Sequence, residues 1–124
     1  MPVSTTVVGS LTAAYGVLEL LKPDLLAKQT RMAGTHPIIA RRLRTVGRVL
    51  GVRDVVSGSV LAAASTPRAR RIATAARVVF DLGDGIVLAS TLPAPAPKGK
   101  ILAVTGGWAA LSLLALVAAE RLES

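Results

Sequence analysis

Four long apolar stretches constrain the fold of this 124-residue chain more than any other sequence feature. The last of them contains no charged residue and has the length of about 20 residues that a helix needs to cross a bilayer. The pattern predicts an all-α fold, a four-helix transmembrane bundle that forms a single domain over residues 1–124. The expected spans are residues 3–21, 46–64, 72–92 and 101–119.

The connections between these stretches predict how the helices are arranged. Ser65, Thr66 and Pro67 form a short turn, so the second and third helices are expected to make a tight antiparallel hairpin. The longer connection is basic, and we expect its 24–34 portion to lie as a short helix at the membrane interface. Thr35, as N-cap, and Pro37, in the first turn, predict that the second helix begins before residue 46.

The net charge of +8 would suit nucleic acid, but the chain has one Trp, one Tyr and one Phe, too few for a base-stacking platform. Its basic residues lie beside the apolar stretches, as expected for topology signals and for contact with anionic lipid at the basic loop. Nine Lys and Arg residues flank the side with loops 22–44 and 98–100, against four on the other. We therefore expect a multi-pass inner-membrane protein with both termini outside the cytoplasm, and no nucleic-acid partner.

The apolar stretches also contain six ionisable residues, which are the candidate functional site as an intramembrane charge network. Charged groups inside a membrane are costly and face the bundle interior or water. The third stretch carries three of them, which cost about 8–10 kcal/mol on the insertion scale, whereas its apolar residues return about 3–5 kcal/mol. That helix is therefore expected to need partners. The six are Glu19, Arg53, Asp54, Arg77, Asp81 and Asp84.

A hairpin that turns near residue 66 places these charges opposite one another. Its register places Arg53 level with Asp81 and Asp54 near Arg77. We therefore predict that Arg53 contacts Asp81 or Asp84, and that Asp54 faces Arg77 or a nearby polar group. Asp84 has less obvious cover by a base, although Arg48 is level with it.

Glu19 also lacks a base of its own in this register, so it and Asp84 are the acids expected to hold a proton most readily. Two interpretations stay open. The ions either lock the helices in register, or they form a proton or cation relay in a polar cavity.

Small residues on the second helix predict close packing. Gly47, Gly51 and Gly58 share a stripe with Asp54, and the first two form a GxxxG pattern. Such glycines serve either contacts between helices of one chain or a dimer seam.

Two segments carry a family resemblance. Residues 51–58 (GVRDVVSG) and 80–84 (FDLGD) resemble small four-helix membrane proteins of unknown function from high-GC bacteria, which are loosely DoxX-like in architecture. The resemblance covers about residues 45–92. It implies a four-helix fold and an inner-membrane location, and it carries no established activity.

The sequence favours a non-catalytic accessory or scaffold protein that packs laterally in a homo-oligomer or a larger membrane complex. The alternative is a small proton-coupled transporter that works as a dimer. Four helices with a membrane carboxylate, Glu19, are similar to small multidrug-resistance transporters, although residues 11–19 lack their first-helix signature. The chain has no Cys and one His, so we expect no enzyme activity, no metal site and no cofactor.

Overall fold

The protein is described here by a computed structural model that covers residues 3–123, and within this range it contains helices and no strands. The all-α prediction is therefore confirmed for the described part of the chain. Five helices follow one another: α1 (Val3–Leu21), α2 (Leu25–Gln29), α3 (Pro37–Ala63), α4 (Pro67–Thr91) and α5 (Lys98–Arg121).

Proline starts two of the long helices, because its fixed φ suits the first turn and its missing N–H is not needed there. Thr66 caps α4 by accepting a hydrogen bond from the Ala69 amide at 3.1 Å. The predicted cap of α3 is wrong, since His36 occupies that position and the Thr35 hydroxyl donates to the Arg31 carbonyl instead. Nε2 of His36 lies 2.8 Å from the Ala94 carbonyl oxygen, which joins the two long connections.

The four long helices form a ring in which each packs on the next and α5 returns to α1. The contacts between α1 and α3 and between α4 and α5 are extensive. The short helix α2 packs on α3 close to the end of the bundle where the long connections lie. Consecutive long helices run antiparallel, so both described chain ends lie at the end opposite the long connections.

The α3–α4 hairpin differs from its prediction. Only residues 64–66 separate the two helices, as expected, yet α3 and α4 have the least backbone contact of the four neighbouring pairs. Large charged side chains lie between them and hold the backbones apart. The hairpin is therefore tight at its turn and open along its length.

Glycines bring α1 and α3 into direct backbone contact. A Cβ added to Gly58 would lie 2.6 Å from the Gly9 carbonyl oxygen and 2.5 Å from the Ala13 amide nitrogen. A Cβ on Gly16 would lie 2.7 Å from the Gly51 carbonyl oxygen. The glycine stripe of α3 is thus used for packing within this chain.

The bundle buries many polar and charged side chains and exposes many large apolar ones. Large apolar side chains on every long helix face outward, and Val17, Val56, Val79 and Leu114 are 45%, 58%, 67% and 66% exposed. The buried polar residues on the long helices are Thr5, Thr12, Glu19, Asp54, Arg70, Thr74, Arg77, Asp81 and Ser112. This distribution is the reverse of the one that folding in water selects.

Two small apolar clusters close the polar interior at its ends. One contains Met32, Leu43 and Ile101 near the long connections, and the other contains Val8 and Leu61 near the short turn. The polar layer therefore lies in the middle of the bundle.

Two helices in the described range, α1 and α5, are long and apolar enough to cross a membrane by length and composition. A buried core helix or a signal sequence passes the same test, so this gives weak support for a membrane protein. The expected spans at residues 46–64 and 72–92 fall on α3 and α4, which do not pass because they carry too many charged residues. Four transmembrane helices are therefore not established by this criterion.

Candidate functional site

The six ionisable residues of the predicted network come together in the middle of the bundle. Glu19 comes from α1, Arg53 and Asp54 from α3, and the other three from α4. On α4 the i, i+4, i+7 spacing places Arg77, Asp81 and Asp84 on one helix face. That face points toward α3 and α1, so three helices contribute to a single cluster.

Arg77 is the centre of this cluster, with a side chain only 4% exposed. Its Nη1 donates to Asp54 Oδ1 at 2.7 Å and to Ser57 Oγ at 3.2 Å. Its Nη2 donates to Asp81 Oδ1 at 2.6 Å. The contact between Asp54 and Arg77 is present as the register predicted, and Asp81 is paired within its own helix.

Arg53 pairs with Asp84, one of the two acids predicted for it, and not with Asp81, the acid level with it in the register. Its Nη1 and Nη2 donate to Asp84 Oδ1 and Oδ2 at 3.0 and 2.6 Å, a bidentate geometry. Nη2 also lies 3.4 Å from Asp54 Oδ1, and the guanidinium sits 4.6 Å from the centre of the Phe80 ring. Arg77 binds Asp81, which lies one helical turn further along α4, so Asp84 is the acid that remains for Arg53. Asp84 is therefore not the uncovered acid that the sequence suggested.

Glu19 is the acid without a basic partner. The residue is 7% exposed, its Oε1 is buried with no hydrogen-bond partner, and no described residue forms an ion pair with it. Another acid, Asp54, lies within hydrogen-bond reach of its side chain. The Tyr15 hydroxyl donates to Gln29 Oε1 at 3.1 Å and does not bind Glu19.

A cavity of about 210 Å³ lies against this cluster and extends to the bundle end with the long connections. Lys22 and Lys100 lie where it reaches that end. The rings of Tyr15 and Trp108, whose centroids are 6.4 Å apart, form part of its wall. The members of the charge network that line the wall are Glu19, Asp54, Asp81, Asp84 and Arg77.

The charges of the cluster do not balance. Four carboxyl groups face two guanidinium groups, and one Asp81 oxygen, Oδ2, is buried without a hydrogen-bond partner, like Oε1 of Glu19. An unpaired carboxylate in such surroundings is stabilised by a proton or by a cation. Within residues 3–123 no three His, Cys, Asp or Glu side chains are grouped so that they could hold a metal ion.

Two features of the bundle interior were missed by the sequence interpretation. Arg70 was counted among the four basic residues on the side of the short turn, yet it is 4% exposed and its Nε has no hydrogen-bond partner. Its position seven residues before Arg77 was the available signal, because this spacing places both on one helix face. Tyr15 and Trp108 carried no comparable signal, since only the contact between α1 and α5 makes them neighbours.

The opposite end of the bundle is closed by surface contacts. Arg71 Nε donates to Glu120 Oε1 at 2.5 Å, and this bond holds the pKa of the Glu120 carboxyl below its usual value. The Glu123 carboxylate accepts from the Ser4 hydroxyl and from the Val3 and Ser4 amides at 3.0 and 3.2 Å. These bonds, with the hydroxyl contributing most, also lower the pKa of Glu123.

Comparisons with known proteins give no family for this arrangement. A scan against protein-family models, a search of curated proteins and a search of solved structures each found no match.

Proposed function

We propose that the chain is a multi-pass inner-membrane protein in which α1, α3, α4 and α5 all cross the bilayer, and that it acts as a non-catalytic accessory or scaffold subunit. The observation that supports this most is the exposure of large apolar side chains on all four long helices, including α3 and α4. In a membrane those faces contact lipid or other helices, and the five network charges of α3 and α4 are paired with one another between the helices.

The accessory role follows from what the chain offers to a partner. Apart from residues 22–36 its described connections are short, and the outward faces of its apolar stretches carry mainly Val, Leu and Ile. Recognition would therefore occur laterally, between helices, in a homo-oligomer or a larger membrane complex. The DoxX-like resemblance has no support from the comparisons, and the proposal does not depend on it.

The oligomeric state tests the accessory role. The protein would be extracted in a mild detergent and transferred to lipid nanodiscs, and its mass measured by native mass spectrometry. We expect a fixed assembly, either several copies of this chain or this chain with a second membrane subunit in constant ratio. A single copy carrying only lipid, over a wide range of protein concentrations and lipid ratios, would contradict the proposal.

The proposed orientation places residues 22–44 and 98–100 in the cytoplasm and both termini outside. The chain has no Cys, so single cysteines report topology directly. We expect Thr66→Cys to react with a membrane-impermeant maleimide added to intact cells, and Ala33→Cys to react only after permeabilisation. The opposite pattern would invert the orientation.

The second candidate function, a small proton-coupled transporter, is favoured by one observation: a cavity that contains the unpartnered Glu19 and reaches one end of the bundle. The test is proton flux in liposomes under an imposed gradient. Flux that is lost in Glu19→Gln and kept in Glu120→Gln, which lies outside the cavity, would support transport. Absence of flux in the unmodified protein, with and without candidate substrates, would exclude it.

A further inference from the structure

We infer that a cleft between α2 and the start of α3 binds the headgroup of one anionic phospholipid. The inference rests on the proposed membrane position of α3, and it goes beyond that proposal by naming a lipid partner and its site. It concerns this cleft alone, so its failure would leave the four-helix arrangement and the accessory role untouched.

The cleft lies at the bundle end with the long connections and has a volume of about 300 Å³. On α3, its lining residues Pro37, Arg41 and Arg44 are spaced i, i+4 and i+7, which places them on one helix face. Asp24 and Lys28, four residues apart, line it from the side of α2. Charged residues of two helices therefore face the same space.

The wall between these charges is small and held in place. Ala27 and Ala40 line the cleft, and their short side chains leave room for a phosphate group to approach. Ala27 is buried, and its carbonyl oxygen accepts from the Met32 amide at 2.9 Å. The Thr30 hydroxyl donates to the Leu26 carbonyl at 2.7 Å. These bonds fix α2 and the turn after it, so the cleft is formed before a ligand binds.

The charge of the cleft indicates an anion. Three basic side chains and one acidic side chain line it, which leaves a formal charge of +2. Lys28 and Arg41 form no ion pair with any residue in the range 3–123. Arg44 binds Asp24 through its Nε at 3.2 Å, so its Nη groups point to no other acid in that range. Two guanidinium groups and one ammonium group are therefore available to phosphate oxygens.

The depth of the cleft indicates that the phosphate belongs to a lipid. The apolar stretch of α3 begins at Val46, and at 1.5 Å per residue Arg44 and Arg41 lie about 3 Å and about 8 Å beyond it along the helix axis. A bilayer has headgroup layers of roughly 5–7 Å on each side of its hydrocarbon core. With α3 across the membrane, both arginines lie near the level of the lipid phosphates, where anionic lipid attracts basic side chains. A lipid headgroup is present at this depth, whereas a free phosphate would have to enter from water.

Binding would be measured by native mass spectrometry of the purified full-length protein in a neutral detergent. Three compounds would be titrated separately: phosphatidylglycerol, phosphatidylcholine with the same acyl chains, and glycerophosphoglycerol. The second is a zwitterionic lipid, and the third is the anionic headgroup of the first without its acyl chains. We expect the first phosphatidylglycerol molecule to bind at least about tenfold more tightly than either of the other compounds.

Paired variants locate the site. Lys28→Gln with Arg41→Gln removes two charges from the cleft and should weaken binding of phosphatidylglycerol at least about tenfold. Arg42→Gln with Lys98→Gln is the matched control, because both residues are exposed at the same bundle end and neither lines the cleft. This control should keep its affinity within about twofold. The melting temperature in detergent shows whether each variant is folded.

Equal affinity for the two lipids, equal affinity for the soluble headgroup, full affinity in a folded cleft variant, or equal loss in the two paired variants would each overturn the inference. The comparison of the three compounds needs no variant, so the test holds even if a variant does not fold. The membrane position of α3 is measured separately, by lipid-nitroxide quenching of a label at Val56, which distinguishes failure of the proposed function from failure of this inference.

Discussion

The two arginines of the cluster both pair with acidic side chains, but they differ in how deeply they are buried. Arg77 is almost fully buried between Asp54 and Asp81, where loss of its charge would leave Asp81 without a basic partner and Asp54 with only its longer contact to Arg53. Arg53 is 23% exposed at its side chain and makes a bidentate bond to Asp84. Arg77 fixes the register of α3 against α4 in the interior. Arg53 joins the same two helices closer to the protein surface.

A charge exchange tests the pairing of Arg53 with Asp84. Arg53→Asp and Asp84→Arg should each lower the stability of the protein by about 1–3 kcal/mol, less than for a fully buried pair because both side chains are partly exposed. The double variant should recover most of this loss, measured as melting temperature in detergent. The matched control is the exchange of Arg53 with Asp81, which should give no recovery. Equal recovery in both exchanges would show that no specific pair exists.

The sequence predicted which charged residues meet, but it did not predict all of their pairs. An equal-depth register identifies Asp54 and Arg77 because both lie on facing helices at nearly the same level. It leaves Arg53 with two candidate acids, Asp81 and Asp84, and only the structure shows that Asp84 is the partner. Sequence spacing along one helix also competes with pairing across helices, since Arg77 and Asp81 are four residues apart in α4. Only the structure shows which contact each carboxylate makes.

Neighbouring long helices interact through different kinds of residue at each interface. Glycines join α1 to α3, charged side chains separate α3 from α4, and surface ion pairs and hydrogen bonds tie α5 to its two neighbours. The hydropathy pattern predicted where the helices lie, but α3 begins well before its apolar stretch. The early start was predicted from Pro37 and not from hydropathy, because Arg41, Arg42 and Arg44 interrupt the apolar pattern before residue 46.

The glycine contact makes a specific prediction. Gly58→Ala should destabilise the protein by about 1–3 kcal/mol. The added methyl group would lie 2.5–2.6 Å from backbone atoms of α1, and single backbone atoms of a helix cannot move away independently. Gly83→Ala is the matched control, since nothing lies within 4 Å of its position. That variant should be neutral or more stable by up to about 1 kcal/mol, from the better helix propensity of alanine. Equal melting temperatures in detergent for the two variants would refute close α1–α3 packing.

The end of the bundle at Glu123 predicts a pH dependence. Folding lowers the pKa of this carboxyl, so its stabilising effect is present above the pKa of the unfolded chain and is lost as the pH falls through the lower folded value. Melting temperatures would be measured between about pH 6 and pH 3, around the ordinary carboxyl range. The difference between the unmodified protein and Glu123→Gln should be largest at the upper end and shrink toward the lower end. A difference that stays constant with pH would show that these hydrogen bonds do not link α1 to α5.

At the scale of the whole molecule, the main feature is that charged side chains are buried and large apolar side chains are exposed. The buried layer contains Glu19, Asp54, Arg77 and Asp81, and every long helix exposes large apolar side chains. Composition predicted a helical membrane protein, and length and hydropathy support two crossing helices. The position of α3 and α4 in the membrane is the central claim of this account, because their own sequences are too charged to indicate it.

The most direct test of that claim is the environment of Val56, which is 58% exposed on the outer face of α3. Val56→Cys would be labelled with an environment-sensitive NBD fluorophore in protein reconstituted into lipid vesicles. Its emission would be measured with nitroxide-labelled lipids and, separately, with iodide in the aqueous phase. The account predicts strong quenching by the lipid nitroxide and little by iodide, as for the same label at Leu114 on α5. Quenching by iodide and not by lipid at Val56, with lipid quenching at Leu114, would show that α3 lies outside the membrane and would contradict the four-helix arrangement.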